Sequence, residues 1–265
     1  YSLGYLGGGL LLALNVLWTL FPSTFGITSA VKAVQLSFVS VGLWWFLFSI
    51  PMLLHLKQSA PKPSSSWTDL LFNSLSDIFN TIKNIGQYKR IGWFLVAYWL
   101  YIDGVYTIIK MAVDYGMSLG FESKSLIIAL LLVQFVAFPC ALLFGKIASI
   151  WSAKTGIFIA LVGYTLISIL GMAMSTVTHF YFLAAGIGLF QGGIQALSRS
   201  FFSQLIPPHK KHEFFGLYNM VGKFSAILGP VLVGTITLIS GSHRFSILSL
   251  SVFFIVGGYL LKKVR

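Results

Sequence analysis

Eight long runs of mostly apolar residues are the strongest constraint on what this chain can fold into. A bilayer core about 30 Å thick requires roughly 20 apolar residues for one helix to cross it. The runs occupy about 4–21, 34–54, 91–113, 126–149, 155–174, 178–198, 214–239 and 243–261, and they use most of the 265 residues. We therefore predict an all-α, polytopic membrane helix bundle with eight transmembrane helices.

The composition excludes the soluble classes and most kinds of enzyme. Only 9% of the residues are charged and 57% are hydrophobic, whereas a soluble domain has about 25% charged residues. Cys140 is the single cysteine, so the chain has no intramolecular disulfide and no cysteine-rich metal site. The sequence also lacks the zinc-protease, serine-hydrolase, Walker A and Rossmann motifs. We predict no enzymatic activity, no cofactor and no metal.

The net charge of +12 is a topology signal. When all lysines and arginines are assigned to alternate sides of the eight spans, 13 of the 18 fall on one side and three on the other. The side rich in basic residues is the cytoplasmic one by the positive-inside rule. Both ends of the chain and the long connector are therefore predicted to be cytoplasmic, and we expect no nucleic-acid partner.

Residues 57–90 form the one long connector between the predicted spans. Within it, apolar residues recur at helical spacing over about 67–85, which predicts an amphipathic helix. This helix either lies on the membrane surface or braces the bundle from below, and the sequence leaves both possibilities open. The connector divides the chain into residues 1–56 and a six-helix bundle over 91–265.

Asp103 is the most unexpected residue within the apolar runs. It follows Ile91 by twelve residues, which places it about 18 Å into its helix and close to the bilayer midplane. A charge at that depth costs about 3 kcal/mol on the insertion scale, so it is a functional candidate by default. Thr107 and Lys110 lie on the same helix face. We predict that this face lines a pathway, with Asp103 coupling an ion such as a proton or binding a substrate ammonium group.

Further polar residues lie in the sixth and seventh runs. Lys223 is about mid-span, with Asn219 one turn earlier, and Gln191 and Gln195 share a face in the sixth run. We predict that Lys223 binds a carboxylate or pairs with Asp103, and that the glutamines donate or accept hydrogen bonds along the pathway. A purely structural interpretation stays open, because such groups also tie membrane helices together.

Several stretches of the sequence resemble one family of transporters. The most specific is FLVAYWLYIDGVYTIIKMAVDYG at 94–116, followed by GLFQGGIQALSRSFFSQLIP at 188–207 and HEFFGLYNMVGKFSAILGPVLVG at 212–234. GYLGGGLLLALN at 4–15 and WWFLFSIPM at 44–52 match as well. Over nearly its whole length the chain is similar to the vacuole effluxer branch of the major facilitator superfamily, which includes the autophagy-related vacuolar amino-acid permease and bacterial relatives.

The resemblance implies an architecture and a location. The eight spans correspond to helices five to twelve of an original twelve, so the chain is expected to be a fragment that works with missing amino-terminal helices. Residues 1–56 are then the last two helices of the amino-terminal bundle. The superfamily's loop motif is present only in eroded form, as GKIASIWSAK at 145–154. The resemblance also implies a multi-pass protein of the bacterial inner membrane.

The function that combines these features is secondary active transport by alternating access. The partners are the lipid bilayer, a small solute and a coupling proton, and the resemblance implies that the solute is an amino acid moved by efflux. Two alternatives stay open at this point. One is a polytopic membrane enzyme or lipid-handling protein without solute transport, and the other is a scaffold or sensor.

Overall fold

The computed structural model describes residues 1–55 and 85–264, and these residues are helical without any strand. Three short 3₁₀ turns, at Pro22–Phe25, Ile85–Tyr88 and Pro208–Lys210, accompany the α-helices. The described α-helices are α1 (Ser2–Leu20), α2 (Ala30–His55), α3 (Lys89–Ser118), α4 (Ser123–Ile150), α5 (Ala153–Met172), α6 (Val177–Leu205), α7 (Lys211–Phe224), α8 (Leu228–Ser240), α9 (His243–Ser249) and α10 (Ser251–Lys262).

These helices supply eight candidate membrane spans within the described residues, as the sequence predicts. Two features differ from the prediction. The sixth span continues as helix to Leu205, past the run predicted to end at 198, and its last two turns are mostly polar apart from Phe201, Phe202 and Leu205. The seventh span, predicted as one helix over 214–239, is divided into α7 and α8 by residues 225–227. The predicted amphipathic helix lies outside the described residues.

The described chain divides into two compact units. Residues 1–5 and 85–264 form one, which we call the six-span unit, and residues 6–55 form the other. In the smaller unit, the Ser40 hydroxyl of α2 donates a 2.9 Å hydrogen bond to the Asn15 side chain of α1. Asn15 is thereby satisfied by a neighbouring helix, as a polar group in hydrocarbon must be.

Close helix packing in the six-span unit depends on small residues. The most extensive packing joins α4 to α6. A Cβ atom on Gly188 would lie 2.7 Å from the Val133 carbonyl oxygen, and one on Gly193 would overlap the ring of Phe144. Because lipid tails are as apolar as the helices, this kind of close van der Waals contact drives association within a membrane.

Aromatic side chains fill the core where α3, α6 and α7 meet. The rings of Phe94 and Phe202 are stacked with centroids 5.3 Å apart, and those of Tyr98 and Tyr218 are stacked at 4.4 Å. All four side chains are buried. This cluster fixes the three helices that also carry the polar residues described below.

The eroded loop motif between α4 and α5 retains a structural role. The Ser152 hydroxyl accepts a 3.0 Å hydrogen bond from the Thr155 amide and so caps the start of α5. The Lys154 ammonium donates to the Val264 carbonyl oxygen just after α10. A basic side chain at the carboxyl end of a helix is favourable, since the last carbonyls there are unpaired. The motif residues therefore hold two helix ends together.

Candidate functional site

A polar cavity of about 290 Å³ lies in the six-span unit, between α3, α6 and α7. We call it the cationic cavity. Helix α3 contributes Tyr98 and Tyr106 on one side. The described residues that line it are Tyr1, Tyr98, Tyr106, Gln195, Arg199, Tyr218, Asn219, Gly222 and Lys223. Three of the predicted site residues, Gln195, Asn219 and Lys223, are therefore brought together here.

Among the described residues, the lining has two cations and no carboxylate. Arg199 and Lys223 both have exposed side chains, so their charges are accessible from the cavity. Arg199 also lies over the ring of Phe215, with the guanidinium carbon 5.4 Å from the ring centroid. Since no aspartate or glutamate is among the lining residues, the cavity presents positive potential to a solute. Such a surface favours an anionic group.

Arg199 was not among the residues that sequence reasoning selected. The charge count placed it in a loop after the sixth span, whereas the structure places it inside α6. The missed signal is spacing: Gln191, Gln195 and Arg199 follow one another at intervals of four residues. On a helix this puts all three on one face. The sequence analysis predicts the two glutamines as site residues but does not extend the pattern to Arg199.

The side-chain oxygens of Gln195 and Gln191 differ in their hydrogen bonding. The side-chain oxygen of Gln195 accepts a 3.2 Å hydrogen bond from the hydroxyl of Tyr5, which belongs to the same unit. The side-chain oxygen of Gln191, one turn earlier, is buried and has no hydrogen-bond partner within the described part of the chain. Gln191 does not line the cavity, although it shares a helix face with Gln195 and Arg199.

Asp103 lies elsewhere in the unit, at the start of α8. Its side chain is fully buried. One carboxylate oxygen accepts from the Gly229 amide at 2.8 Å, and the other accepts from the Leu228 amide at 3.0 Å. The Thr107 hydroxyl donates to the first oxygen at 3.3 Å. We call these four residues the Asp103 junction. Asp103 thus acts as a helix cap supplied by a neighbouring span.

A glycine makes the junction possible. A Cβ atom at position 229 would overlap the Thr107 hydroxyl and approach a carboxylate oxygen of Asp103 to 2.7 Å. At the next residue of α3, a Cβ on Gly104 would lie 2.8 Å from the ring of Phe254. Helix α3 is therefore packed closely against both α8 and α10.

The remaining predicted residues do not join the cationic cavity. Thr107 is buried in the junction, and Lys110, two turns beyond Asp103 on α3, has an exposed side chain. No ion pair joins Lys223 to Asp103; the one salt bridge within the described ranges links Lys210 to Glu213 at 4.0 Å. The polar face of α3 and the polar residues of α7 therefore serve two separate places.

Comparisons with known proteins agree with this helical architecture. The profile of the family described as "Vacuole effluxer Atg22 like" matches residues 1–265. The chain is 37% identical over 262 residues to an uncharacterized MFS-type transporter, YxiO, of Bacillus subtilis. The matched region covers 98% of this chain and 61% of that protein.

Fungal proteins are similar at lower identity. Autophagy-related protein 22-1 of Penicillium rubens is 29% identical over 280 residues, covering 96% of this chain and 46% of its own length. Autophagy-related protein 22 of Saccharomyces cerevisiae S288c is 26% identical over 247 residues, covering 80% and 47%. The chain thus spans about half to three-fifths of the curated relatives it matches, and it belongs to the Atg22-like vacuole effluxer family of MFS-type transporters.

Proposed function

We propose that the full-length protein is a secondary active transporter that moves a small solute carrying a carboxylate, with amino acids as the first candidates. The observation that carries this proposal is the cationic cavity, where Arg199 and Lys223 face an open space without a carboxylate in its lining. The family's description as an effluxer supports export as the direction. A transporter needs such a site in the membrane interior, where a charged solute would otherwise be unsolvated.

The lining residues offer a partner to each part of an amino acid. The Arg199 guanidinium can hold a carboxylate with two parallel hydrogen bonds, and Lys223 adds a second positive charge. The side chain of Asn219 can donate and accept further hydrogen bonds. The ring of Tyr106, a lining residue that is only partly buried, can attract an ammonium group through cation–π interaction.

Alternating access supplies the movement. We propose that the bundle over 91–265 rocks against an amino-terminal bundle whose last two helices lie in residues 1–56. Transporters of this kind bind substrate between two halves near the bilayer midplane. The distribution of basic residues favours a cytoplasmic location for both ends of the chain. The Bacillus relative supports a bacterial inner membrane as the location.

Solute counterflow in proteoliposomes tests the proposal with the full-length protein. Vesicles are loaded with unlabelled glutamate, leucine or lysine, and entry of the same radiolabelled amino acid is followed. The corresponding α-amides, which lack the free carboxylate, serve as matched competitors, and for glutamate the α,γ-diamide is used because the α-amide alone keeps the side-chain carboxylate. We expect counterflow for at least one amino acid and no competition by its amide. Absence of counterflow for all three, or equal competition by the amide, would contradict carboxylate recognition.

A further inference from the structure

The Asp103 junction lies where water cannot satisfy it. The seventh span runs from Pro208 to Ser240, and its helix is interrupted at residues 225–227, close to the middle. Within hydrocarbon every backbone amide needs a partner inside the protein, and an unsatisfied one costs several kcal/mol. The first turn of α8 has amides that its own helix cannot pair.

The structure gives the partners of the amides at residues 228 to 231. The amides of Leu228 and Gly229 both donate to Asp103. Residue 230 is proline and has no amide hydrogen to place. The amide of Val231 donates to the Ile227 carbonyl oxygen at 3.4 Å. The two oxygens of one carboxylate are therefore what completes the start of α8, with one amide for each oxygen.

The junction adjoins the cationic cavity through both of its chain segments. Helix α7, which ends at Phe224, carries the cavity residues Asn219 and Lys223 close to the interruption. Helix α3 carries Asp103 between Tyr98 and Tyr106, which line the cavity. The junction and the cavity are therefore separated by only a few residues along α3 and along the seventh span.

We propose that Asp103 is the proton-binding group of this transporter, and that a proton competes with the amides of α8 for its carboxylate. The inference rests on the proposed function. When the carboxylate takes up a proton from water, one oxygen becomes a hydroxyl, which is a donor and a weaker acceptor than the carboxylate oxygen it replaces. The amide that it accepted before is then held less strongly, and the new proton needs an acceptor of its own. Proton binding therefore favours a state in which the start of α8 has moved away from α3.

The coupling is reciprocal by thermodynamic necessity. If protonation favours the displaced position of α8, displacement of α8 favours protonation by the same factor. A solute that binds the cavity with different affinity in the two positions is thereby linked to the proton, since a ligand shifts an equilibrium only through such a difference. This gives a route for a proton gradient to drive accumulation of the solute.

Within the described residues, no charged side chain forms a salt bridge with Asp103, and its partners are the amides of α8 and the Thr107 hydroxyl. Helix α8 has no ionisable side chain. On α3 itself the other charged residues, all exposed, are Lys89, Arg90, Lys110 and Asp114. The charged and histidine side chains on the other described helices that pack against α3 are Lys124 and Lys146 on α4, His179 and Arg199 on α6, Lys211, His212, Glu213 and Lys223 on α7, His243 and Arg244 on α9, and Lys262 on α10.

The test uses full-length protein in proteoliposomes with an imposed pH gradient and trapped pyranine. For the wild type we expect the gradient to drive accumulation of the amino acid that gives the largest counterflow, together with a pyranine signal of proton movement. Counterflow without any response to the gradient and without a pyranine signal would overturn the proton site while the proposed function stands. Absence of counterflow would instead contradict the proposed function itself.

Substitutions then locate the site. Asp103→Asn keeps one acceptor for the amides but binds no proton, so we expect the accumulation ratio to fall to about one while counterflow decreases by no more than roughly tenfold. Thr235→Val, on the exposed face of α8, is the control: it removes a hydroxyl that donates to the Val231 carbonyl oxygen of the same helix and no proton-binding atom, so accumulation should persist. Wild-type accumulation by Asp103→Asn would refute the assignment, as would loss of both activities at wild-type abundance.

A second variant decides the outcome if Asp103→Asn does not reach the membrane. Asp103→Glu retains a carboxylate on a longer side chain and should still accumulate solute above the external concentration, although more slowly. Counterflow without accumulation in this variant would show that the carboxylate is not where the proton binds. Membrane abundance is measured for every variant, because a purely structural cap would lower it in parallel with activity.

Discussion

The cationic cavity and the Asp103 junction are both built from α3 and the seventh span, yet the charged groups are exposed in the cavity and buried in the junction. In the cavity, the side chains of Arg199 and Lys223 are exposed, and no carboxylate lines the space around them. In the junction, Asp103 is fully buried and three donors approach its two oxygens. The cavity is therefore suited to an external ligand, whereas the carboxylate oxygens of the junction are already hydrogen-bonded within the protein.

The largest effect is expected from adding one methyl group at the junction. In Gly229→Ala the new Cβ would overlap the Thr107 hydroxyl and crowd Asp103, so we expect a loss of at least about 2 kcal/mol in stability from overpacking. Gly234→Ala is the matched control on the same helix, since its Cβ would have no atom within 4 Å. Thermal unfolding in detergent, followed by fluorescence size exclusion, measures both variants. Equal melting temperatures would show that the junction is not closely packed.

Neutralising the cavity should change binding without changing the fold. In the double variant Arg199→Gln and Lys223→Gln both charge-assisted contacts to a carboxylate are lost. We therefore expect the solute concentration for half-maximal counterflow to rise roughly 10- to 100-fold. Lys124→Gln, at an exposed position near the start of α4, is the control for net charge. Unchanged affinity with normal abundance would remove the cavity from the solute pathway.

The smallest expected effects on stability concern two buried tyrosines, which differ in whether the hydroxyl is hydrogen-bonded within the described residues. The Tyr101 hydroxyl makes a 2.7 Å hydrogen bond to Ser198, whose own proton goes to the Ile194 carbonyl oxygen. The Tyr164 hydroxyl is buried without a hydrogen-bond partner in the described residues. We expect Tyr101→Phe to lose about 1 kcal/mol and Tyr164→Phe to lose nothing or gain stability. Equal thermal shifts for the two variants would contradict this accounting.

The sequence is sufficient for the eight spans because hydrocarbon thickness fixes the length of each apolar run. It is insufficient for the interruption at 225–227. Pro230 indicates a bend but does not reveal which residue completes the helix start. The partner is Asp103, more than a hundred residues earlier, and it bonds to backbone amides, which every residue type except proline has. No side-chain pattern records such a contact.

The residues of the cationic cavity are likewise only partly predictable from the sequence. Lys223, Asn219 and Gln195 are found together in the cavity because a polar side chain in an apolar helix turns toward polar neighbours. Arg199 was missed because a charge count treats an arginine near the end of a span as part of a loop, and helix α6 continues past it. The roles predicted for all of these residues stay predictions until transport is measured.

The short length of α8 has a mechanical consequence. Its 13 residues form a rod roughly 20 Å long, so a tilt of about 10° at the junction swings its far tip by roughly 3 Å. That sweep is comparable to the diameter of a water molecule. A tilt of α8 about the Asp103 carboxylate can therefore open or close a gap wide enough for hydration at the membrane boundary while α7 keeps its position.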